Sequence, residues 1–334
     1  MRRIRLKFTN GLAFADGVRD ILFAVRDEYE FVESDTPEVV IFGPYGSDIP
    51  PPGGPVRVGY FCENIRPDLS ICDWAFGIPY EELVGDPRYM RIEWHGVQPQ
   101  DLAKPAAIDP EAVLRGKTRF CNFLYGNPVP YRERFFRELS RYKRVDAPGR
   151  SMNNMPGIDS GVPGDRWSAK RQFLQAYKFT IAFENYSFPG YHSEKLLDPM
   201  LAASIPVYFG NPRIASHFNP RSFLNGHEYV RGICAPVAGA LERLSLQPFR
   251  GHLRSSDIGG RVMRRIRGDA ARAKMRLQCW DFGPLIEAIA RLDQDDDLYL
   301  SYVAQPWFVP DAVPAIERSR QRWRRIFSGQ AGEA

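Results

Sequence analysis

The stretch that most constrains the fold is residues 178–208, which read KFTIAFENYSFPGYHSEKLLDPMLAASIPVY. Residues 179–183 are apolar and rich in β-forming side chains, which predicts a buried strand. Pro189 and Gly190 interrupt the chain, and Ser193 is a suitable N-cap for a helix whose apolar positions share one face. Residues 205–209 predict a second strand. This strand–loop–helix–strand unit is typical of a parallel sheet.

Polar side chains follow the first of these strands. Ligands of parallel α/β sheets lie beyond the carboxyl ends of the strands. A helix N-terminus with a lysine in its first turn suits a phosphate group, because backbone N–H groups and the ammonium both favour negative charge. The residues that we expect at this edge are Glu184, Asn185, Tyr191, Glu194 and Lys195.

Strands alternate with helices in the first half of the chain, which predicts an open α/β sheet. The predicted strands are residues 4–8, 38–42, 56–61 and 119–124. The predicted helices are residues 17–28, capped by Asp16, and 131–143, followed in the second half by 237–244 and a basic helix at 260–277. Residues 46–55 and 97–117 are expected to be loops.

With 334 residues, the chain is long for one domain and sufficient for two. Turn-forming residues accumulate at 146–154, and we place the domain boundary there. The predicted units are residues 1–145, residues 146–310 and a basic tail helix at 311–334.

The net charge of +5 is too balanced to indicate nucleic-acid binding. Five widely spaced cysteines without a C-x-x-C pair indicate free thiols in a reducing compartment. The N-terminus has no long apolar segment, so we expect a soluble cytoplasmic protein. The tail, with Trp323 and Phe327 among its arginines, is best interpreted as a solvated helix, with weak contact to the inner membrane as the alternative.

A longer pattern surrounds the phosphate-type site. It comprises FEN at 183–185, GYHSEK at 190–195, Asp198, IPVYFGNP at 205–212 and HFNPRSFLN at 217–225. In these segments the chain resembles the α-1,3/1,4-fucosyltransferases of glycosyltransferase family 10. The resemblance extends to YFCEN at 60–64 and DWAFG at 73–77. It implies two facing Rossmann-like domains of the GT-B glycosyltransferase type, with the site in the cleft between them.

The family's early glutamate acts as the catalytic base, and Glu63 occupies its position in YFCEN. A sugar transfer with inversion needs a carboxylate that takes the proton of the acceptor hydroxyl. The end of a predicted strand is a suitable place for that group. The alternative interpretation of Glu63 is an exposed loop carboxylate.

The resemblance also implies a set of donor-binding residues. Arg132 matches an arginine that follows a Ser-Asn pair in the family, where a guanidinium fork can hold diphosphate oxygens. Here the pair reads Tyr125-Gly126, with Asn127 one place late, so Arg134 is the next candidate. The alternative for Arg132 is a solvent-facing side chain on an amphipathic helix. Tyr191 and Lys195 correspond to diphosphate contacts, and Glu194 to a contact near the ribose or the sugar.

The function that we expect is inverting transfer of L-fucose from GDP-β-L-fucose to a hydroxyl of a GlcNAc- or Glc-containing glycan, in α-1,3 or α-1,4 linkage. The implied partners are GDP-fucose and an oligosaccharide acceptor, with no nucleic acid, no metal and no other cofactor, in a soluble enzyme of bacterial type. Two alternatives remain open at this point. One is a GT-B enzyme that uses another nucleotide sugar, and the other is a non-catalytic module that binds a nucleotide sugar.

Two further patterns are given no functional role. Asp293-Gln294-Asp295 matches the Asp-x-Asp metal motif of another glycosyltransferase architecture, but no strand precedes it, and we expect a loop. His192 stands where the family has a small or β-branched residue, and the histidines show no metal-binding spacing.

Overall fold

Two parallel sheets organise the computed structural model, which describes residues 1–63, 65, 67–92, 104, 108–158, 166–233, 258–309 and 316–329. Each sheet carries its own buried apolar core, and helices connect the strands. The prediction of an α/β protein with two Rossmann-like sheets is therefore confirmed.

The first sheet has six strands in the order β2-β1-β3-β4-β5-β6, and every neighbouring pair is parallel. Every residue of β3 and β5 in this sheet is buried, as expected for strands covered on both faces. The strands are β1 (Arg2–Thr9), β2 (Tyr29–Glu33), β3 (Val39–Phe42), β4 (Val56–Phe61), β5 (Trp74–Gly77) and β6 (Tyr89–Arg91). The helices between them are α1 (Phe14–Asp20) and α2 (Glu81–Val84).

The second sheet has five parallel strands in the order β11-β10-β9-β7-β8. They are β7 (Arg119–Asn122), β8 (Val145–Asp146), β9 (Tyr177–Phe183), β10 (Ile205–Phe209) and β11 (Leu224–Asn225). The helices are α3 (Pro110–Gly116), α4 (Pro130–Tyr142), α5 (Arg166–Gln175), α6 (Glu194–Leu201), α7 (Gly226–Tyr229), α8 (Ile258–Leu277), α9 (Gly283–Gln294) and α10 (Asp296–Val303). A short antiparallel pair, β12 (Arg231–Ile233) and β13 (Cys279–Asp281), lies beside them.

The last described helix, α11 (Ile316–Phe327), returns to the first sheet. Trp323 stacks on Phe76 with a ring separation of 4.6 Å, and Ile326 and Phe327 are buried in the same core. The tail is therefore part of the first domain and not a separate solvated helix. Its apolar side chains are already covered, which removes the surface on which the membrane interpretation rested.

The predicted domain boundary near residue 146 is wrong, because β7 and β8 are strands of the second sheet and α4 packs against its core. The chain crosses between the sheets before Arg119. Strand–helix alternation continues through the crossing, so the pattern contained no signal for it.

Three smaller predictions differ from the structure. The first helix ends at Asp20 instead of residue 28, and the edge strand β2, which the pattern did not predict, follows it. Part of the predicted loop at 97–117 is the helix α3, which Asp109 caps by accepting from the Glu111 amide. The predicted helix at 237–244 lies outside the described residues. In the described part of the chain, no helix combines the length and the apolarity needed to span a bilayer.

Candidate functional site

The segment from β9 to β10 forms the unit predicted from its sequence. The two strands pair in parallel, with Phe179 beside Ile205 and Phe183 beside Phe209. Ser193 is the N-cap of α6, since its hydroxyl accepts from the Lys195 amide at 3.4 Å. The helix N-terminus thus lies beyond the carboxyl end of β9, at the end of the β9–α6 loop (residues 184–193), where a phosphate group would be favoured.

The carboxylate of Glu184 binds the N-cap residue of this helix. It accepts from the Ser193 amide at 2.9 Å and from the Ser193 hydroxyl at 2.8 Å. Its side chain is 0% exposed. Burial raises the pKa of Glu184, and the nearby Lys195 ammonium opposes that increase. Glu184 is therefore a buried support of the loop in this structure and not an exposed contact.

Lys195 lies between two carboxylates. Its Nζ is 3.2 Å from Glu184 and 3.3 Å from Glu194. Burial alone would lower the pKa of Lys195, but these two carboxylates raise it above its ordinary value, so the side chain remains an ammonium. Burial likewise would raise the pKa of Glu194, but Lys195 and Lys170 hold it below its ordinary value. The first turn of α6 thus carries a charged Glu194 carboxylate next to the Lys195 ammonium.

Arg132 lies in the first turn of α4 and is 1% exposed. Its guanidinium donates to the Phe183 carbonyl at 3.3 Å, to Asn185 Oδ1 at 3.0 Å and to the Asn127 carbonyl at 2.7 Å. It also lies 3.6 Å above the ring of Tyr125, and its Nε has no hydrogen-bond partner among the described residues. The interpretation as a solvent-facing arginine is therefore wrong. Arg134, in contrast, is half exposed and pairs with Glu138.

Two contacts of Gly190 join the β9–α6 loop to the first sheet. Gly190 has φ +91, and a Cβ placed on it would lie 2.3 Å from the carbonyl oxygen of Ile78. Its amide donates to Asn211 Oδ1 at 2.9 Å, and Asn211 Nδ2 donates to the Tyr80 hydroxyl at 3.0 Å. Glycine is required here both by the left-handed backbone and by the close approach of the first domain.

Glu63 reaches the same region from the first sheet, where it lies two residues beyond β4. Tyr191 of the β9–α6 loop is buried in the core of the first sheet, which also contains Tyr60, and Phe188 and Cys62 pack against the same core. Burial raises the pKa of the Tyr191 phenol, and the charges of Glu184, Glu63 and Glu194 raise it further. The structure therefore brings Glu63 together with the predicted residues of the second domain. Asn64 lies outside the described residues.

A second polar contact between the domains involves Arg91 and His217. Arg91 donates to the Gly190 carbonyl at 3.2 Å, and another of its nitrogens lies 3.0 Å from His217 Nε2. Burial, together with the positive charge of Arg91, lowers the pKa of His217 to about 4. The imidazole is therefore neutral at physiological pH. Its protonation at low pH would place a second positive charge beside Arg91 and weaken this contact between the domains.

Three side chains of the site were not found from the sequence. The Tyr45 hydroxyl donates to the Glu63 carboxylate, and Tyr80 and Asn211 connect the two domains. Asn211 is part of the IPVYFGNP segment, which was the one signal available. Tyr45 and Tyr80 lie outside the predicted strands and helices, and their partners become neighbours only through the tertiary fold.

The Asp-x-Asp pattern is not a loop, because Asp293 and Gln294 end α9 and Asp295 caps α10. Asp293 accepts from Lys143 at 2.9 Å and from the Tyr142 hydroxyl at 3.0 Å, both at the C-terminal end of α4. His192 lies edge-on to Phe218. The Asp-x-Asp pattern therefore lies near the amino end of β9, where the Asp293 carbonyl accepts from Lys178, whereas His192 is part of the β9–α6 loop itself.

Two family models match the chain. Residues 116–236 match the model of the glycosyltransferase family 10 (fucosyltransferase) C-terminal region. Residues 6–97 match the alpha-(1,3)-fucosyltransferase FucT N-terminal domain. The two matches follow the two sheets and include both Glu63 and the β9–α6 loop.

Curated relatives agree with the family models. The alpha-(1,3)-fucosyltransferase FucT of Helicobacter pylori is 30% identical over 206 residues, covering 52% of this chain and 41% of the relative. The alpha-(1,4)-fucosyltransferase of Arabidopsis thaliana is 27% identical over 132 residues, covering 36% of this chain and 32% of the relative. The matched region thus spans less than half the length of these relatives.

Solved structures share the fold. A crystal structure of an alpha1,3-fucosyltransferase superposes with a TM-score of 0.64 at 19% identity, covering 98% of this chain and 91% of that one. The structure of an alpha1,3-fucosyltransferase with GDP-fucose also gives 0.64, over 99% of this chain and 92% of that one. At this identity the likeness establishes the two-domain GT-B architecture.

Proposed function

The chain belongs to glycosyltransferase family 10, the fucosyltransferases, and on that premise we propose that it transfers L-fucose from GDP-β-L-fucose to a hydroxyl of a GlcNAc- or Glc-containing glycan, in α-1,3 or α-1,4 linkage. The observation that carries the proposal is the position of Glu63 beside the β9–α6 loop. One domain supplies a carboxylate and the other supplies a charged helix N-terminus at the same place.

Glu63 is proposed as the general base. As the acceptor oxygen attacks the anomeric carbon of fucose, the carboxylate takes the hydroxyl proton, and the bond from that carbon to the diphosphate oxygen breaks. A single displacement of this kind converts the β-linked donor into an α-linked product. The hydroxyl of Tyr45 donates to the Glu63 carboxylate and so fixes its orientation.

The second domain is proposed to hold the nucleotide diphosphate. Lys195 stands at the N-terminus of α6, where the ammonium and the helix terminus both favour the negative charge that grows on the leaving group. Tyr191 and Glu194 lie on the same loop, and we propose that they contact the donor together with Asn185. These assignments are supported by the convergence of the residues around the loop.

Arg132 and Glu184 are proposed to support the donor site without contacting the donor. Both side chains are buried, and both hold backbone or side-chain groups of the segment that follows β9. The positive charge of Arg132 lies in a low-dielectric interior, so it can still stabilise the departing diphosphate without touching it. In this proposal the fixed cations perform the electrostatic work that a divalent ion performs in other glycosyltransferases.

The proposal is tested by calorimetric titration of the protein with GDP-fucose, GDP-mannose and GDP, paired with a transfer assay on a disaccharide acceptor that contains GlcNAc. We expect GDP-fucose to bind more tightly than GDP-mannose and fucose to be transferred. Tighter binding of GDP-mannose would indicate an enzyme for another nucleotide sugar. Binding of GDP-fucose without transfer to any acceptor would indicate a binding module.

The same assay tests whether a metal takes part. Because the proposed site neutralises the diphosphate with Lys195 and Arg132, we expect transfer to persist in excess EDTA. Loss of transfer in EDTA, with recovery on addition of Mn²⁺ or Mg²⁺, would contradict the proposed role of the two cations. No membrane-binding role is proposed for the basic tail helix α11, because its apolar face packs on the first sheet.

A further inference from the structure

The N-terminal half of α8 presents an exposed apolar stripe. Ile258, Val262 and Ile266 are 70%, 52% and 43% exposed and occupy positions i, i+4 and i+8, which place them on one side of the helix. Met263 is exposed beside them. Isolated exposed apolar residues need no explanation, but four aliphatic side chains grouped on one helix face indicate a contact surface.

The rest of this helix surface is strongly basic. The exposed arginines of α8 include Arg261 and Arg265 in its first half and Arg272 and Arg276 in its second half. The one acidic residue of the helix, Asp269, pairs with Arg272 at 2.6 Å. The apolar stripe is therefore flanked by guanidinium groups that have almost no acidic counterparts on the same helix.

The other half of α8 attaches the helix to the second domain. Ala270 and Ala271 are buried, and Met275 packs against the core of the second sheet. The helix is thus held at its C-terminal half while its N-terminal half remains exposed. This arrangement separates an anchoring part from a presenting part within a single 20-residue helix.

We propose that the N-terminal half of α8 docks on an anionic lipid surface. Its aliphatic side chains would enter the boundary between headgroups and acyl chains, and its arginines would pair with lipid phosphates. A second copy of the chain fits this face poorly, since pairing two α8 helices would bring like charges together. Nucleic acid would satisfy the arginines but leave the aliphatic stripe without an apolar partner.

This surface does not depend on the transferase activity, and it lies on a different helix from the basic tail. The experiment is co-sedimentation of the full chain with vesicles of phosphatidylcholine containing about a third phosphatidylglycerol, compared with pure phosphatidylcholine, at about 0.1 M and about 0.5 M salt. We expect binding to the anionic vesicles at the lower salt concentration, and a reduction of at least about fivefold in the other three conditions.

Matched variants test whether vesicle binding depends on the α8 stripe or on any exposed apolar side chain. Val262→Ser combined with Ile266→Ser should weaken vesicle binding by about tenfold or more, since two aliphatic contacts are lost. Leu83→Ser, at an apolar side chain of α2 that is 47% exposed, should change it by less than about twofold. All three substituted positions are solvent-exposed, and thermal unfolding of each variant verifies the fold.

Several outcomes would overturn the proposal. These are absence of binding to anionic vesicles, equal binding to neutral vesicles, or equal losses in the α8 and Leu83 variants. A dimer in light scattering that the α8 double variant dissociates would assign the stripe to a second copy of the chain. Binding of a short DNA duplex that competes fully with the vesicles, and that the α8 double variant leaves unchanged, would also contradict it.

Discussion

The Glu184 carboxylate accepts hydrogen bonds from both the amide and the hydroxyl of Ser193, at 2.9 and 2.8 Å. Through this pair, the end of β9 determines where α6 begins. Ser193 Oγ also lies 3.0 Å from Nζ of Lys195, the cation that we propose for the diphosphate. The orientation of Lys195 therefore depends on Glu184, whose side chain is fully buried.

Glu184→Gln is expected to lower the free energy of unfolding by about 2–3 kcal/mol, because it leaves the Lys195 ammonium largely buried with one fewer carboxylate. The double change Glu184→Gln with Lys195→Met should be more stable than the single change, since both charges are removed together. Glu111→Gln, which breaks an exposed pair with Arg115, should cost about 0.5 kcal/mol or less. Urea unfolding measures all three, and a double variant as unstable as the single one would contradict the buried pair.

Gly190→Ala tests the contact between the domains. Alanine at φ +91 is strained by about 1–2 kcal/mol, and its Cβ would overlap the Ile78 carbonyl, which adds about 1–3 kcal/mol. Gly85 also has a positive φ, but nothing lies within 4 Å of a Cβ placed there. Gly85→Ala should therefore cost only the backbone strain. Equal unfolding free energies for the two variants would show that the Ile78 contact is unimportant.

His217 should make stability depend on pH. Its pKa is lowered from 6.5 to about 4 in the folded protein by burial and by Arg91, so the unfolded chain binds its proton first as the pH falls. Its contribution is fully present above pH 6.5 and is lost as the pH falls through about 4. Solvent screens the charge at this half-buried position, so the unfolding free energy that the protein loses between these two pH values should be about 1 kcal/mol smaller in His217→Gln. Urea midpoints between these pH values test it, and identical pH dependence in both proteins would contradict it.

The sequence predicted the β9–α6 unit well, because its apolar runs, breakers and cap agree with one another. The end of the first helix and β2 were harder to predict, because this edge strand is only partly buried and its sequence, YEFVE, does not keep a strict alternation of apolar and polar residues. The domain boundary was missed because α4 and β7 continue the same strand–helix rhythm on the second sheet.

The site residues divide along the same line. Lys195 and its cap are local, and the sequence placed them correctly in the first turn of α6. The burial of Arg132 could not be predicted, because its partners Phe183 and Asn185 are more than fifty residues away in the chain. For the same reason Tyr45 and Tyr80 carried no signal.

Arg132→Ala and Arg132→Lys separate support of the donor site from simple charge. Alanine should lower kcat/KM by about 2–4 kcal/mol of transition-state stabilisation, with a smaller effect on the dissociation constant of GDP. Lysine should not restore the rate fully, because it cannot donate to three oxygens in a plane. Arg134→Ala, on the exposed side of α4, is the control and should be nearly neutral. Loss of GDP binding in full proportion to the loss of rate would mean that Arg132 supports only donor binding and not the transition state.

The central claim is that Glu63 acts as the base for fucosyl transfer, and the rate of transfer by Glu63→Gln tests it most directly. Glutamine keeps the shape and the contact with Tyr45 but cannot take the acceptor proton, so transfer should fall by about 10²–10⁴. Binding of GDP-fucose, measured by calorimetry on the same preparation, should stay near that of the unaltered protein. Turnover of the variant at close to the unaltered rate would contradict the assignment.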